Sequence, residues 1–191
     1  MSKSKVQFYT ATTIDGFIAD ENHSLDWLFV VDREKDGFSD FFASIGAIVM
    51  GRNTFDWVVN YENIYENPEK WNKFYNNLPC WVFTNRELKP IEGAEIYSVS
   101  DDVENIYNNI LKRVNGKNIW LTGGGVLVEK KKKKGFLDEL ILQFAPVTLG
   151  KGASLLPIKL LSTELELIKV TKNGQFIDAT YEVKKRNNPS Q

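Results

Sequence analysis

Apolar residues along this chain fall into short runs of two alternating kinds, and that alternation predicts the elements. Val6 to Thr12 is rich in apolar, aromatic and β-branched residues and reads as a strand, closed by Asp15-Gly16 and followed by a short apolar return at Phe17-Ile18-Ala19. Leu25, Trp27, Leu28, Phe29, Val30 and Val31 form a dense apolar patch. Gly37 to Ile45 places Phe38, Phe41, Phe42 and Ile45 at helical spacing, with Gly46 in the position of a closing glycine. Ala47 to Met50 is a fully apolar strand that runs into Gly51-Arg52-Asn53-Thr54, and a helix is expected over Thr54 to Val59. Tyr61 to Asn77 reads as a polar, aromatic-rich insertion, whose Trp71, Phe74 and Tyr75, together with Trp57, Tyr61 and Tyr65, suit a contact face.

The second half repeats the alternation. Strands are expected at Cys80 to Thr84, Ala94 to Val99, Ile119 to Leu121 and Leu137 to Gly150, the last interrupted at Pro146. Ser100-Asp101-Asp102 is expected to cap a helix reaching Val114, and a further helix is expected over Val126 to Lys134. Two strands, Leu165 to Thr171 and Gln175 to Lys184, flank Asn173-Gly174, a two-residue hairpin signal. Strands alternating with helices predict a mainly parallel sheet covered on both faces, with the terminal hairpin adding antiparallel strands. One domain over residues 1–186 and a polar tail over 187–191 are expected.

Composition narrows the class. In 191 residues, 42% are hydrophobic and 26% charged, the balance of a soluble globule. The 24 basic and 25 acidic side chains leave a net charge of −1, which provides no general attraction for nucleic acid or anionic lipid. Neither partner is expected, nor is a membrane span or signal peptide, so a cytoplasmic location is. The single cysteine, Cys80, has no intramolecular disulfide partner, and no Cys/His cluster has metal-ligand spacing. His23 lies in a polar loop without a nucleophile nearby. The lysines Lys130 to Lys134 interrupt the apolar stripe expected of their helix, and pattern alone gives them no role.

The candidate chemistry lies where strands stop. LTGGG, at Thr122, Gly123, Gly124 and Gly125, ends a buried strand on bare backbone and opens a helix, a geometry suited to a phosphate or simply to a tight turn. Two further strands end in MGRNT and FTNR, and ligands of open α/β sheets bind at the carboxyl ends of strands. Three convergent loops of this kind favour the ligand.

MGRNTF, FTNR and TGGG, in this order, with TATTIDGFIA, SLDWL and GFLDELILQFAPVTLGKGASLL, resemble the dihydrofolate-reductase-like family that includes the reductase domain of riboflavin-biosynthesis deaminase-reductases. The resemblance implies a dihydrofolate-reductase-like three-layer α/β sandwich, a homodimer, and a reductase that uses NADPH on a small-molecule substrate. By that resemblance Gly51, Arg52, Thr54, Thr122, Gly123, Gly124 and Gly125 surround the cofactor's pyrophosphate. Thr84, Asn85 and Arg86 take its 2′-phosphate, and Ala11, Ile18 and Ala19 wall the nicotinamide. Asp32, five positions after Trp27, and Gln143 fall on the substrate side, and Lys151 is a candidate for a substrate phosphate. The nearest reaction in the family reduces a ribosylaminouracil phosphate; another small carbonyl, imine or pterin substrate, or a nucleotide-binding paralogue without catalysis, is the alternative. The H-x-E and P-C-x-x-C zinc motifs of the deaminase half do not occur.

Overall fold

A computed structural model describes residues 4–34, 37–100, 103–123 and 135–184. In chain order the elements are β1 (Val6–Thr13), β2 (Phe17–Ala19), α1 (Asp26–Phe29), α2 (Gly37–Ala43), β3 (Ile45–Gly51), α3 (Arg52–Tyr61) and α4 (Glu69–Tyr75). They continue with β4 (Cys80–Phe83), β5 (Ile96–Val99), α5 (Val103–Arg113), β6 (Asn118–Thr122), β7 (Glu139–Ala145), β8 (Ala153–Ser154), β9 (Leu165–Asn173) and β10 (Phe176–Val183). Contacts divide the chain into two compact units: Met1–Lys5 with Ser44–Gly123, and Val6–Ala43 with Gly124–Gln191.

The first unit is built on parallel strands in the order β5-β4-β3-β6. Strands buried on both faces need continuous apolar runs, and β3 supplies one: Ile45, Ala47, Ile48, Val49 and Met50 are all buried. Phe55, Val58 and Val59 face inward from α3, and Phe55 meets the fully buried Trp71 of α4 at a ring distance of 5.6 Å. The stretch read as a polar insertion therefore contains a helix that contributes a core tryptophan. Trp71 belongs to no contact face; Tyr61, Tyr65 and Phe74 are the exposed aromatics there.

Gly46 does not close α2. That helix ends at Ala43, and both Ile45 and Gly46 belong to β3. A Cβ on Gly46 would stand 2.9 Å from the Lys117 Cβ and 3.0 Å from the Val114 Cβ. Close approach of the turn after α5, not a helix cap, requires the glycine.

In the second unit β1 pairs parallel with β7, and β7, β10 and β9 follow as antiparallel neighbours. Tyr9 of β1 stacks on Phe41 of α2 at 4.3 Å, which fixes that helix on one face of the sheet. The hairpin turn is Gly174-Gln175, one residue later than the Asn173-Gly174 signal, because Asn173 pairs with Phe176. The short strands β2 and β8 form a separate antiparallel pair that hydrophobic periodicity does not reveal. The Leu25–Val31 patch lies outside the core: none of its residues is buried, and Phe29 and Val30 are 64% and 83% exposed.

Candidate active site

In the first unit the end of β3 becomes the amino end of α3 without a side-chain cap. Gly51 is the N-cap residue, extended at φ −83°, and no side chain bonds the first-turn amides. A Cβ on Gly51 would meet nothing within 4 Å among the described residues. Among the described residues, neither backbone conformation nor packing therefore calls for glycine here, and no side chain caps the amino end of this ten-residue helix. Gly123, at the end of β6, is the opposite case. Its φ is +99°, and a Cβ would lie within 3 Å of both Oγ1 and Cβ of Thr54. Two loops distant in sequence, MGRNT and LTGGG, thus touch through Thr54 and Gly123. Thr122 sits one residue back, half-buried and paired with Met50.

Two arginines border this helix end. Arg52 Nε donates to Asp56 Oδ1 at 2.7 Å, and its Nη1 donates to the Glu87 carbonyl at 2.9 Å. Arg86 reaches the other carboxylate oxygen of Asp56 only at 3.4 Å. The Arg86 side chain is 62% exposed against 22% for Arg52. In the loop after β4, Thr84 Oγ1 accepts the Arg86 N–H at 3.0 Å, so this hydroxyl shapes the loop, while Asn85 is exposed beside it. Gly124, Gly125 and Lys130 to Lys134 lie outside the described residues.

The second unit holds the other candidates. Ala11 on β1 stands opposite Gln143 on β7, and Gln143 stands opposite Asp178 on β10. Gln143 is buried, and its Nε2 donates to Asp178 Oδ1 at 3.1 Å. Ile18 and Ala19 lie on β2, which two threonines tie to β1: Thr12 Oγ1 donates to the Phe17 carbonyl and Thr13 Oγ1 accepts the Phe17 N–H, each at 3.0 Å. Asp32 is exposed in the segment after α1 and borders an open cavity of about 570 Å³ lined by Leu28 to Arg33. Its carbonyl accepts the Gln175 N–H at 3.2 Å. No hydrogen bond joins Asp32 to Gln143 among the described residues. A second open cavity, about 380 Å³, is lined by Asp20, Glu21, Asn22, Leu149, Gly150 and Lys151.

Asp15 does more than end a turn. Its carboxylate accepts the Thr13 hydroxyl at 2.5 Å, the Gly150 N–H at 2.7 Å and the Leu149 N–H at 3.0 Å. These bonds, the Thr13 hydroxyl first, hold its pKa below the usual carboxylate value. Asp56 and Asp178 escaped the motif reading. Asp56 carried a signal, four residues after Arg52 on one helix face; Asp178 carried none, because only strand register brings it to Gln143. No group of His, Cys, Asp and Glu able to hold a metal ion occurs among the described residues.

A mainly parallel α/β fold with an antiparallel C-terminal hairpin, carrying glycine and arginine where its strands end, defines a dihydrofolate-reductase-like protein. The chain belongs to the RibD C-terminal domain family, which it matches over residues 4–177. It is 30% identical over 178 residues to the uncharacterized Bacillus subtilis protein YwjB, covering 93% of this chain and 97% of that one. A Shewanella sp. PV-4 protein, assigned provisionally to riboflavin biosynthesis, superposes with a TM-score of 0.76 at 26% identity, over 95% of this chain and 99% of its own. Dihydrofolate reductase of Enterococcus faecalis, solved with NADP(H), shares the fold at a TM-score of 0.62 and 16% identity, over 96% of this chain and 98% of that one.

Proposed function

We propose that this chain is an NADPH-dependent reductase acting on a ribosylaminouracil phosphate of riboflavin synthesis. The observation that carries the cofactor is the amino end of α3. Among the described residues it is uncapped, opens on a glycine that no neighbour requires, and is bordered by Arg52 and Arg86. These residues fit a nucleotide phosphate. Gly51, the first amides of α3, Arg52 and Thr54 would hold the pyrophosphate. Arg86 and Asn85 would take the 2′-phosphate, on a loop shaped by Thr84.

Bound NADPH supplies a hydride, and the protein's share is binding, orientation and exclusion of water. Ala11, Ile18 and Ala19 offer the nicotinamide an apolar wall. Gln143, with Nε2 committed to Asp178, keeps its Oε1 as an acceptor for a donor on the substrate ring. The substrate sugar, opened to an imine at C1′, gains one hydride and one proton; Asp32 is the exposed carboxyl placed on the substrate side of this reading.

No helix among the described residues is long and apolar enough to cross a membrane. A cytoplasmic location and a homodimer are part of the proposal, the dimer supported by the exposed Leu167, Ile168 and Val170 of β9 and Ile177 of β10. Sedimentation velocity tests it, and a monomer at micromolar concentration would end it.

Titration with NADPH and NADH, read by tryptophan fluorescence, tests the cofactor. One charge-assisted contact is worth about 1.5–3 kcal/mol, so NADPH should bind about ten- to a hundredfold more tightly than NADH. Binding of neither nucleotide would remove the reductase assignment. Binding without NADPH consumption on the uracil substrate would leave a different carbonyl, imine or pterin as the acceptor.

A further inference from the structure

We propose that Asp56 is the positioning residue that sets nucleotide selectivity, holding Arg86 ready for the 2′-phosphate of the cofactor. The inference rests on the NADPH reading above and goes one residue beyond it. One carboxylate serves two arginines from different elements. Oδ1 takes Arg52 Nε at 2.7 Å, and Oδ2 takes Arg86 Nη2 at 3.4 Å. The two arginines are held to different degrees. Arg52 is fastened twice, to Asp56 and to the Glu87 carbonyl, and so ties α3 to the loop after β4. Arg86 has the long contact to Asp56 alone as its side-chain bond among the described residues, and most of its side chain is in solvent.

That difference suits different tasks. An exposed arginine loses about 2 kcal/mol of rotamer freedom when it is fixed on a ligand. A side chain already drawn toward the helix end loses less on binding, which is how preorganisation raises affinity. The hold must also be weak enough to share, and an exposed ion pair is worth only about 0.2–1 kcal/mol. Asp56 occupies one of Arg86's five N–H donors, which leaves a fork for phosphate. The Thr84–Arg86 turn fixes the backbone from which the side chain extends. Asp56 thus works through Arg86, with no contact of its own to the nucleotide.

The experiment compares wild type, Asp56→Asn, Arg86→Ala and the double variant, with thermal melts as a check on folding. The probes are NADPH, NADH, and the fragments 2′,5′-ADP and 5′-AMP. Asp56→Asn keeps the shape and an Oδ1 that still accepts from Arg52 Nε, which the Glu87 carbonyl also holds, and removes the charge that draws Arg86. It should weaken NADPH and 2′,5′-ADP about fivefold and leave NADH and 5′-AMP within about twofold. In the Arg86→Ala background the same substitution should do nothing further, the mark of action through that arginine. Asp56→Glu, which restores the charge, should recover part of the selectivity and provides a second reading if Asp56→Asn folds poorly.

Unchanged or tighter NADPH binding in Asp56→Asn would overturn the proposal, since the carboxylate would then be neutral or a competing anion. Equal losses for NADPH and NADH would overturn it too, by showing general damage to the helix end. If wild type itself does not distinguish NADPH from NADH, the underlying cofactor reading fails together with it. If wild type does distinguish them and Asp56→Asn is silent, only the role of Asp56 falls.

Discussion

The two units carry their candidate chemistry in different ways. In the first, the candidates lie where parallel strands end, in the last strand residue, the loop that follows or the first turn of a helix, and glycine, arginine and threonine residues stand beside one helix terminus. In the second, the candidates lie on a strand face, on a short strapped strand and in an exposed segment after α1. Binding a phosphate needs backbone amides and positive charge, which strand ends supply at fixed places. Shaping a substrate site needs volume and a few placed acceptors, which any face can supply. A motif can encode the first kind of site, whereas the second is written in register and packing.

Four substitutions sharpen or break this contrast. The largest effect is expected from Trp71→Ala, which empties the core between α3 and α4: a loss of about 3–5 kcal/mol in urea unfolding, with hydrogen exchange rising in the first unit. Gly123→Ala comes next, because a Cβ there meets Thr54 at a positive φ. It should cost about 2 kcal/mol or more and weaken NADPH binding as well.

Gly51→Ala is its counterpart. With no described residue near the missing Cβ, it should leave the melting temperature within a few degrees while weakening NADPH about tenfold or more. Equal stability losses for the two glycine variants would erase the distinction between a glycine kept for a ligand and one kept for the fold. Val30→Thr should be the quietest, within about 0.5 kcal/mol, because Val30 is 83% exposed despite its place in an apolar run.

Acid provides a test confined to the second unit. Asp15 has a folded pKa below its unfolded value, so its contribution is complete above about pH 4 and is lost as the pH falls through the lower folded value. Protonation gives up bonds to Leu149 and Gly150, and Asp15→Asn should flatten the acid limb of the stability profile. An unchanged limb would mean that other carboxylates govern it.

The parallel strands of the first unit were legible in sequence because burial on both faces demands unbroken apolar runs, and β3 and β6 have them. An apolar run does not by itself mean burial: at Leu25–Val31 no residue is buried, and Phe29 and Val30 are exposed. Gly46 shows a second limit: a glycine after a helical stripe looks like a cap, and only the approach of Val114 and Lys117 shows why it is there. The α4 helix was hidden because seven residues offer only one buried position, Trp71, too few to set a period. On the functional side, Arg52 and Arg86 could be picked from their strand-end motifs and Asp56 from its spacing to Arg52, but the contact of Asp56 with Arg86 and the Gln143–Asp178 pair required coordinates.

Cys80 has a practical consequence. It is the chain's single cysteine, wholly buried in β4, and burial pushes its thiol well above the ordinary range. A thiol-reactive dye can modify it only when β4 is uncovered. The rate of labelling therefore clocks the opening of the first unit, one molecule at a time, without an engineered probe.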